Sequence, residues 1–312
     1  MNQNIKINNK YYNNLYGPIS FYILKPCVNN LPLIILFGDI HNNDNPSDIN
    51  NNSFNIKTNL LNELEDFCLK NNIKLDFFAE YGNELLDDFS KTTSQLFKHL
   101  IYDNINCFHN LDCKYKFINF HQCDLRFINN NDNLEDDLSD DLINYNNRED
   151  IIKNIEYKNR DNLNNIYNKL LNNNKILKQY TIDKFNKNNF YDKIKNELVS
   201  LHVKFVNEFI NNKDVDNNII FNLMNTILVD IYYILNIYNP NIKISIGLFG
   251  AYHVYNIQRT LTQLKLYDYI CKIDNVKYEN FNEDDNIKNI IKFNKFIDLD
   301  KIIIDYINNS YK

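Results

Sequence analysis

Two stretches, "LPLIILFGDIH" and "IKISIGLFGAYH", limit what this chain can fold into more than any other feature. The first is apolar at nearly every position and the second at most, and both then break on glycine and polar residues. A strand with one face in water alternates apolar and polar side chains. One that is apolar throughout is buried on both faces, as in a parallel sheet between helices. Three further runs, "SFYILKP", "IKLDFFAEYG" and "YKFINFHQCDLR", read as strands of the same kind. Between Leu33 and Glu80, Leu60, Leu61, Leu64, Phe67 and Cys68 recur at the spacing of one helix face, so strand, helix and strand alternate. The expected fold class is α/β, with a mostly parallel central sheet flanked by helices.

From about residue 129 to 218 the chain turns to Asn, Asp, Lys and Tyr with scattered Leu and Ile, and has no Gly or Pro. This stretch reads as a helical insertion or lid within a single domain spanning 1–312, with an acid-rich, solvated beginning at "NNNDNLEDDLSDD". Downstream, Ile220, Leu223, Met224, Ile227, Leu228, Ile231 and Leu235 form a helical stripe that packs in a core. The surrounding "IIFNLMNTILVDIYYILNIY" has the length of a bilayer span, but Asp230 within it argues for a buried soluble helix. The end of the chain predicts a helix near "VYNIQRTLTQL", a strand near "YDYICKIDNVKYE" and an apolar and charged tail from Ile287.

Composition narrows the function classes. A net charge of -6 gives no basic surface for a phosphate backbone, so nucleic acid is not an expected partner. The six cysteines include no CxxC pair, and the N-terminal residues lack the plan of a signal peptide. An intracellular, reducing location is expected. Cys107, His109 and Cys113 are close enough in sequence to suggest zinc, but a fourth ligand is not evident. Asn makes up about a fifth of the residues, as drift in an AT-rich genome produces, and Asn clusters alone are given no functional weight.

The chemistry gathers at strand ends. Of five glycines in the chain, two open the same pattern after an apolar run: Gly38-Asp39-Ile40-His41 and Gly250-Ala251-Tyr252-His253. Parallel strands finish on one edge of their sheet, where open α/β folds bind ligands. Glycine there permits a tight, close-approaching turn. Two other strands deliver Glu80, and Asp124 with Arg126. Imidazole and carboxylate together suit a divalent Zn²⁺, Mn²⁺ or Co²⁺, with His41, His253, Glu80 and Asp39 as candidate ligands. Without metal, a histidine base oriented by a carboxylate, with Arg126 at an oxyanion, is the alternative. Each residue also has a structural use: a turn histidine, a helix cap at Glu80 or Asp124, an Asp124–Arg126 ion pair. Because the histidines are placed in a surface crevice, truncating either to alanine is expected to leave stability nearly unchanged.

The series "GDIH", "AE" at Glu80 and "GAYH" resembles the TraB/TIKI, erythromycin-esterase and ChaN-like superfamily, which carries two Gly-Xaa-Xaa-His motifs and a glutamate on an α/β core. Together with "FHQCDLR" and "LMNTILVDIYYI", these motifs also look like a group of proteins from large DNA viruses. The superfamily resemblance implies a hydrolase of amide or ester bonds acting on a small-molecule or peptide substrate, and the viral one a location in the host cytoplasm or virion. Asp39 stands where the superfamily has glutamate, and Asn225 where the viral group has Asp. Two rival readings accompany it. "GDIH" also resembles the opening of a metallophosphatase, although the later Gly-Asp-Xaa-Xaa-Asp and Gly-Asn-His are missing. The other is an inactive structural or host-interaction protein that keeps the fold.

Overall fold

A computed structural model describes residues 4–29, 31–39, 52–80, 100–108, 111–123, 227–237, 241–275 and 290–310, with Ser200. The chain divides into two compact units: Met1–Cys123 with Pro240–Lys312, and Asp124–Asn239. Within the second, helix α3 (Ile227–Asn236) is described, with Val229, Tyr233 and Ile234 buried and Asp230 buried among them. The remainder of the 129–218 stretch, Ser200 apart, lies outside the described residues, as does the first part of the apolar stripe that precedes α3. Among the described residues no helix is long and apolar enough to cross a membrane.

The first unit is built on a six-stranded, mostly parallel sheet. Its strands are β4 (Ser20–Pro26), β5 (Leu33–Asp39), β7 (Leu75–Ala79), β8 (Ile118–Gln122), β9 (Ile244–Gly250) and β10 (Tyr267–Asp274). They lie in the order β10-β4-β5-β9-β7-β8, and only β4 runs against its neighbours. All five apolar runs are strands of this sheet, and the late run "YDYICKID" forms its sixth. β5 and β9 are neighbours in its middle and are buried at every position. Strand, helix and strand do alternate between Leu33 and Glu80, but β9 is inserted between β5 and β7.

Helix α1 (Ile56–Asn71) turns Leu60, Leu61, Leu64, Phe67 and Cys68 into one core with Phe37, Phe77, Ile246 and Leu248 on one face of the sheet. The other face carries Leu36, Gly38, Gly247, Phe249 and Phe78, and receives α4 (Ala251–Gln263) through Val254, Ile257 and Leu261. Two small sheets flank the main one. β1 (Ile5–Ile7) lies between β2 (Lys10–Tyr12) and β12 (Ile297–Asp298). β3 (Asn14–Tyr16) lies between β11 (Ile290–Lys292) and β6 (Ser53–Asn55). The tail ends in α5 (Leu299–Ser310). These short strands are the elements the sequence pattern does not announce, because three residues are too few to establish a period.

Cys107, in the one-turn helix α2 (Ile105–Phe108), is disulfide-bonded to Cys113. The pair considered for zinc is thus a cross-link across a short loop, and the chain is not uniformly reduced as its cysteine spacing suggested. The other four cysteines are not disulfide-bonded, Cys27 exposed and Cys68, Cys123 and Cys271 buried.

Candidate functional site

The site forms where β5, β9 and β7 end side by side. The parallel register sets Asp39 opposite Gly250 and Ala79 opposite Leu248, and the Glu80 N–H continues the ladder by donating to the Leu248 carbonyl at 3.1 Å. Glu80 therefore leaves β7 at the level where β9 turns into α4. Its Oε2 accepts from the Gly250 N–H at 2.9 Å, and its Oε1 lies 3.3 Å from Nε2 of His253. Gly250 is the N-cap of α4, and its backbone offers no side-chain acceptor of its own. A carboxylate delivered from the neighbouring strand fills that position, where backbone donors and the helix dipole favour a negative charge. Glu80 thus caps a helix, as one structural reading allowed, and its helix is α4.

His253 occupies the first turn of α4. The strand and helix follow one another without a loop, so the Gly-Ala-Tyr-His spacing swings the imidazole back over the strand end. It is 5 % exposed, not the open-crevice residue expected from sequence, because α4 seals it against the sheet. Gly38 explains why α4 can lie so close. A Cβ there would stand 2.9 Å from the Ala251 Cα and 3.3 Å from the Val254 Cβ, and would overlap the Ser20 hydroxyl. The glycine of the first motif is therefore needed for the close approach of a helix. It is not needed for a turn: Gly38 is a strand residue, and no left-handed backbone is involved.

Asp39 is buried at 1 % exposure, beside Gly250 across the ladder. Strand alternation gives it the face of Ile35 and Phe37, opposite to that of Gly38 and α4. His41, Asp124 and Arg126 lie outside the described residues. Of the six predicted site residues, the structure thus brings Glu80 and His253 into contact and sets Asp39 at the neighbouring strand end. Among the described residues, no three His, Cys, Asp or Glu side chains gather as a metal cage. Glu80 and His253 supply two donors of suitable type, so a complete metal set would have to draw on His41.

One polar pair escaped sequence reading. Asp76, in the interior of β7, is 6 % exposed, and its Oδ1 accepts from Asn119 Nδ2 at 3.2 Å and lies 2.7 Å from His121 Nε2. The His121 ring stacks on Phe78 with centroids 4.3 Å apart and planes 13° from parallel. The signal was present in "KLDFF", where a carboxylate interrupts an apolar strand and so needs a buried partner. Comparison with protein-family models, curated proteins and solved structures finds no match to this chain.

Proposed function

We propose that the chain is a hydrolase of amide or ester bonds whose reaction centre is the pair of His253 and Glu80. The observation that carries this reading is the contact between them at the carboxyl ends of adjacent parallel strands, with Glu80 fixed from its other oxygen by the Gly250 N–H. An ionised Glu80 accepts and does not donate, so it favours the proton on Nε2 and leaves Nδ1 as the basic nitrogen. In this scheme Nδ1 takes a proton from water as the water oxygen bonds to the acyl carbon. The bond to the leaving nitrogen or oxygen then breaks, and the same proton passes to the leaving group. Glu80 holds the ring and steadies the transient imidazolium, a role that orienting carboxylates fill in hydrolases generally.

A divalent Zn²⁺, Mn²⁺ or Co²⁺ would supply a more acidic water in the same place. Glu80 and His253 are of the right chemistry to hold it, with His41 as the remaining candidate from the motifs; Asp39 belongs to the opposite face of the sheet and does not join them. Elemental mass spectrometry on the purified full chain, run beside turnover of fluorogenic ester and peptide panels, tests both forms. The reading expects turnover by the wild type that is lost in His253→Asn. One equivalent of metal that disappears in a His41→Ala, His253→Ala double variant would favour the metal form. Absence of any turnover, with and without added metal, would overturn it.

A further inference from the structure

We infer that His121 is a second proton acceptor of the same strand-end crevice, with Asp76 as its positioning residue; the inference rests on the hydrolytic reading above. Placement comes first. His121 is the penultimate residue of β8, so it lies at the sheet edge where β7 and β9 also finish. Its register partner is Phe78. Asp76, Phe78 and Glu80 alternate along β7 and share a face, so the His121 ring lies between the levels of Asp76 and Glu80. That face also carries His253.

The chemistry follows from how the ring is held. A carboxylate inside a strand is costly unless hydrogen-bonded, and Asp76 meets that need through Asn119 and His121. An ionised Asp76 can only accept, so Nε2 of His121 carries the proton and Nδ1 keeps its lone pair. Phe78 fixes the plane of the ring from one side. The His121 side chain is nevertheless 30 % exposed, against 9 % for Asp76, so the dyad opens to solvent on the imidazole side. An oriented imidazole whose side chain is partly open to solvent is the arrangement of a general base. A pair that served only to bury Asp76 would not need to leave its histidine open.

The ligand such a base meets is a hydroxyl or water proton on an acyl substrate bound along the face from His253 to His121. His253 passes one proton of the attacking water to the leaving group, as above; as that bond breaks and the product carboxylate forms, His121 Nδ1 takes the second water proton and releases it to solvent.

Two measurements on the full chain test this. Long-range ¹H–¹⁵N spectra of the histidine rings are expected to show His121 with its proton on Nε2, and Asp76→Asn is expected to abolish that preference. Carbethoxylation by diethyl pyrocarbonate, mapped by mass spectrometry, should label His121 faster than buried His253 and faster in the wild type than in Asp76→Asn. A proton on Nδ1, or equal labelling in both proteins, would overturn the inference. With a fluorogenic ester as probe, His121→Gln should lower kcat by about 10²-fold or more with little change in KM. Unchanged turnover in His121→Gln would remove His121 from the reaction while leaving the His253 reading intact. No turnover by the wild type, with His121 still selectively labelled, would overturn hydrolysis as the reaction the dyad serves. Should Asp76→Asn fail to fold, the wild-type tautomer and His121→Gln kinetics decide.

Discussion

Single atoms decide how close α4 comes to the sheet and therefore where His253 stands. Gly38→Ala places a methyl group against the Ser20 hydroxyl and against the Ala251 backbone, which cannot swing aside as a side chain can. Overpacking of this kind costs about 1–3 kcal/mol, so thermal denaturation should show a midpoint several degrees lower, with activity falling alongside as His253 is displaced. Burial of His253 also revises the expected cost of its removal. His253→Ala leaves a void under α4 and should destabilise measurably, whereas His253→Asn fills most of the volume and is the better probe of chemistry. A titrating residue gives a third test. Burial pushes the Asp274 carboxyl above its ordinary range, against the hydrogen bond from Tyr22 and the charge of Lys272, which pull it down. A raised carboxyl means that the folded state holds the proton longer than the unfolded chain does. Stability is therefore lost as pH rises from about 3.8 through the raised value, and the loss is complete above it. Asp274→Asn should raise the midpoint at neutral pH, an advantage that shrinks to nothing below pH 4 in thermal melts run across about pH 3 to 7.

At the scale of elements, what was legible followed from burial on two faces. β5 and β9 were readable because strands covered on both sides carry few polar positions, Asp39 and Ser245 being the buried exceptions, and α1 because its five apolar residues share a stripe. The three-residue strands were not, since their pairing depends on partners far along the chain, as in Ile5 with Ile297. Asparagine illustrates the limit well. Discounting it as drift missed its structural use. Asn8 and Asn9 take left-handed backbone between β1 and β2, and their N–H groups donate to the two Asp300 oxygens at 2.7 and 2.8 Å. Asn55 caps the start of α1 by accepting from Lys57 N, and Asn72 ends it with φ 52°. Asn tolerates that region better than most residues, so a chain rich in it can close turns with few glycines. Asp300→Ala removes two charge-assisted acceptors at once. It should lower stability by about 2–3 kcal/mol in urea unfolding, with the slope against denaturant unchanged.

Across the molecule, cysteine chemistry offers a global check. Burial drives the Cys68 thiol up to about 12 and the Cys271 thiol up to about 11, so both stay protonated and unreactive in the folded chain. Native alkylation should therefore mark Cys27 first. Denaturation without reductant should expose four thiols, and reduction should add Cys107 and Cys113. Finding all six without reductant would mean that the cross-link is not formed. The site itself was half legible from sequence. The repeated Gly-Xaa-Xaa-His pattern and the glutamate pointed to one sheet edge, and Glu80 and His253 do meet there. The pairing of Asp76 with His121 was hidden because it joins residues on different strands, and residue type gives no hint of register.

The central claim is that His253 and Glu80 act as one unit in hydrolysis. The most direct test is a double-mutant cycle on kcat with a fluorogenic ester, comparing wild type, Glu80→Gln, His253→Asn and the double variant, each first checked for a cooperative melt. Either single change is expected to remove most of the rate, by about 10²-fold or more, with the double variant hardly worse than the more damaging single one. Folded single variants that keep the wild-type rate, or losses that simply multiply, would contradict the claim.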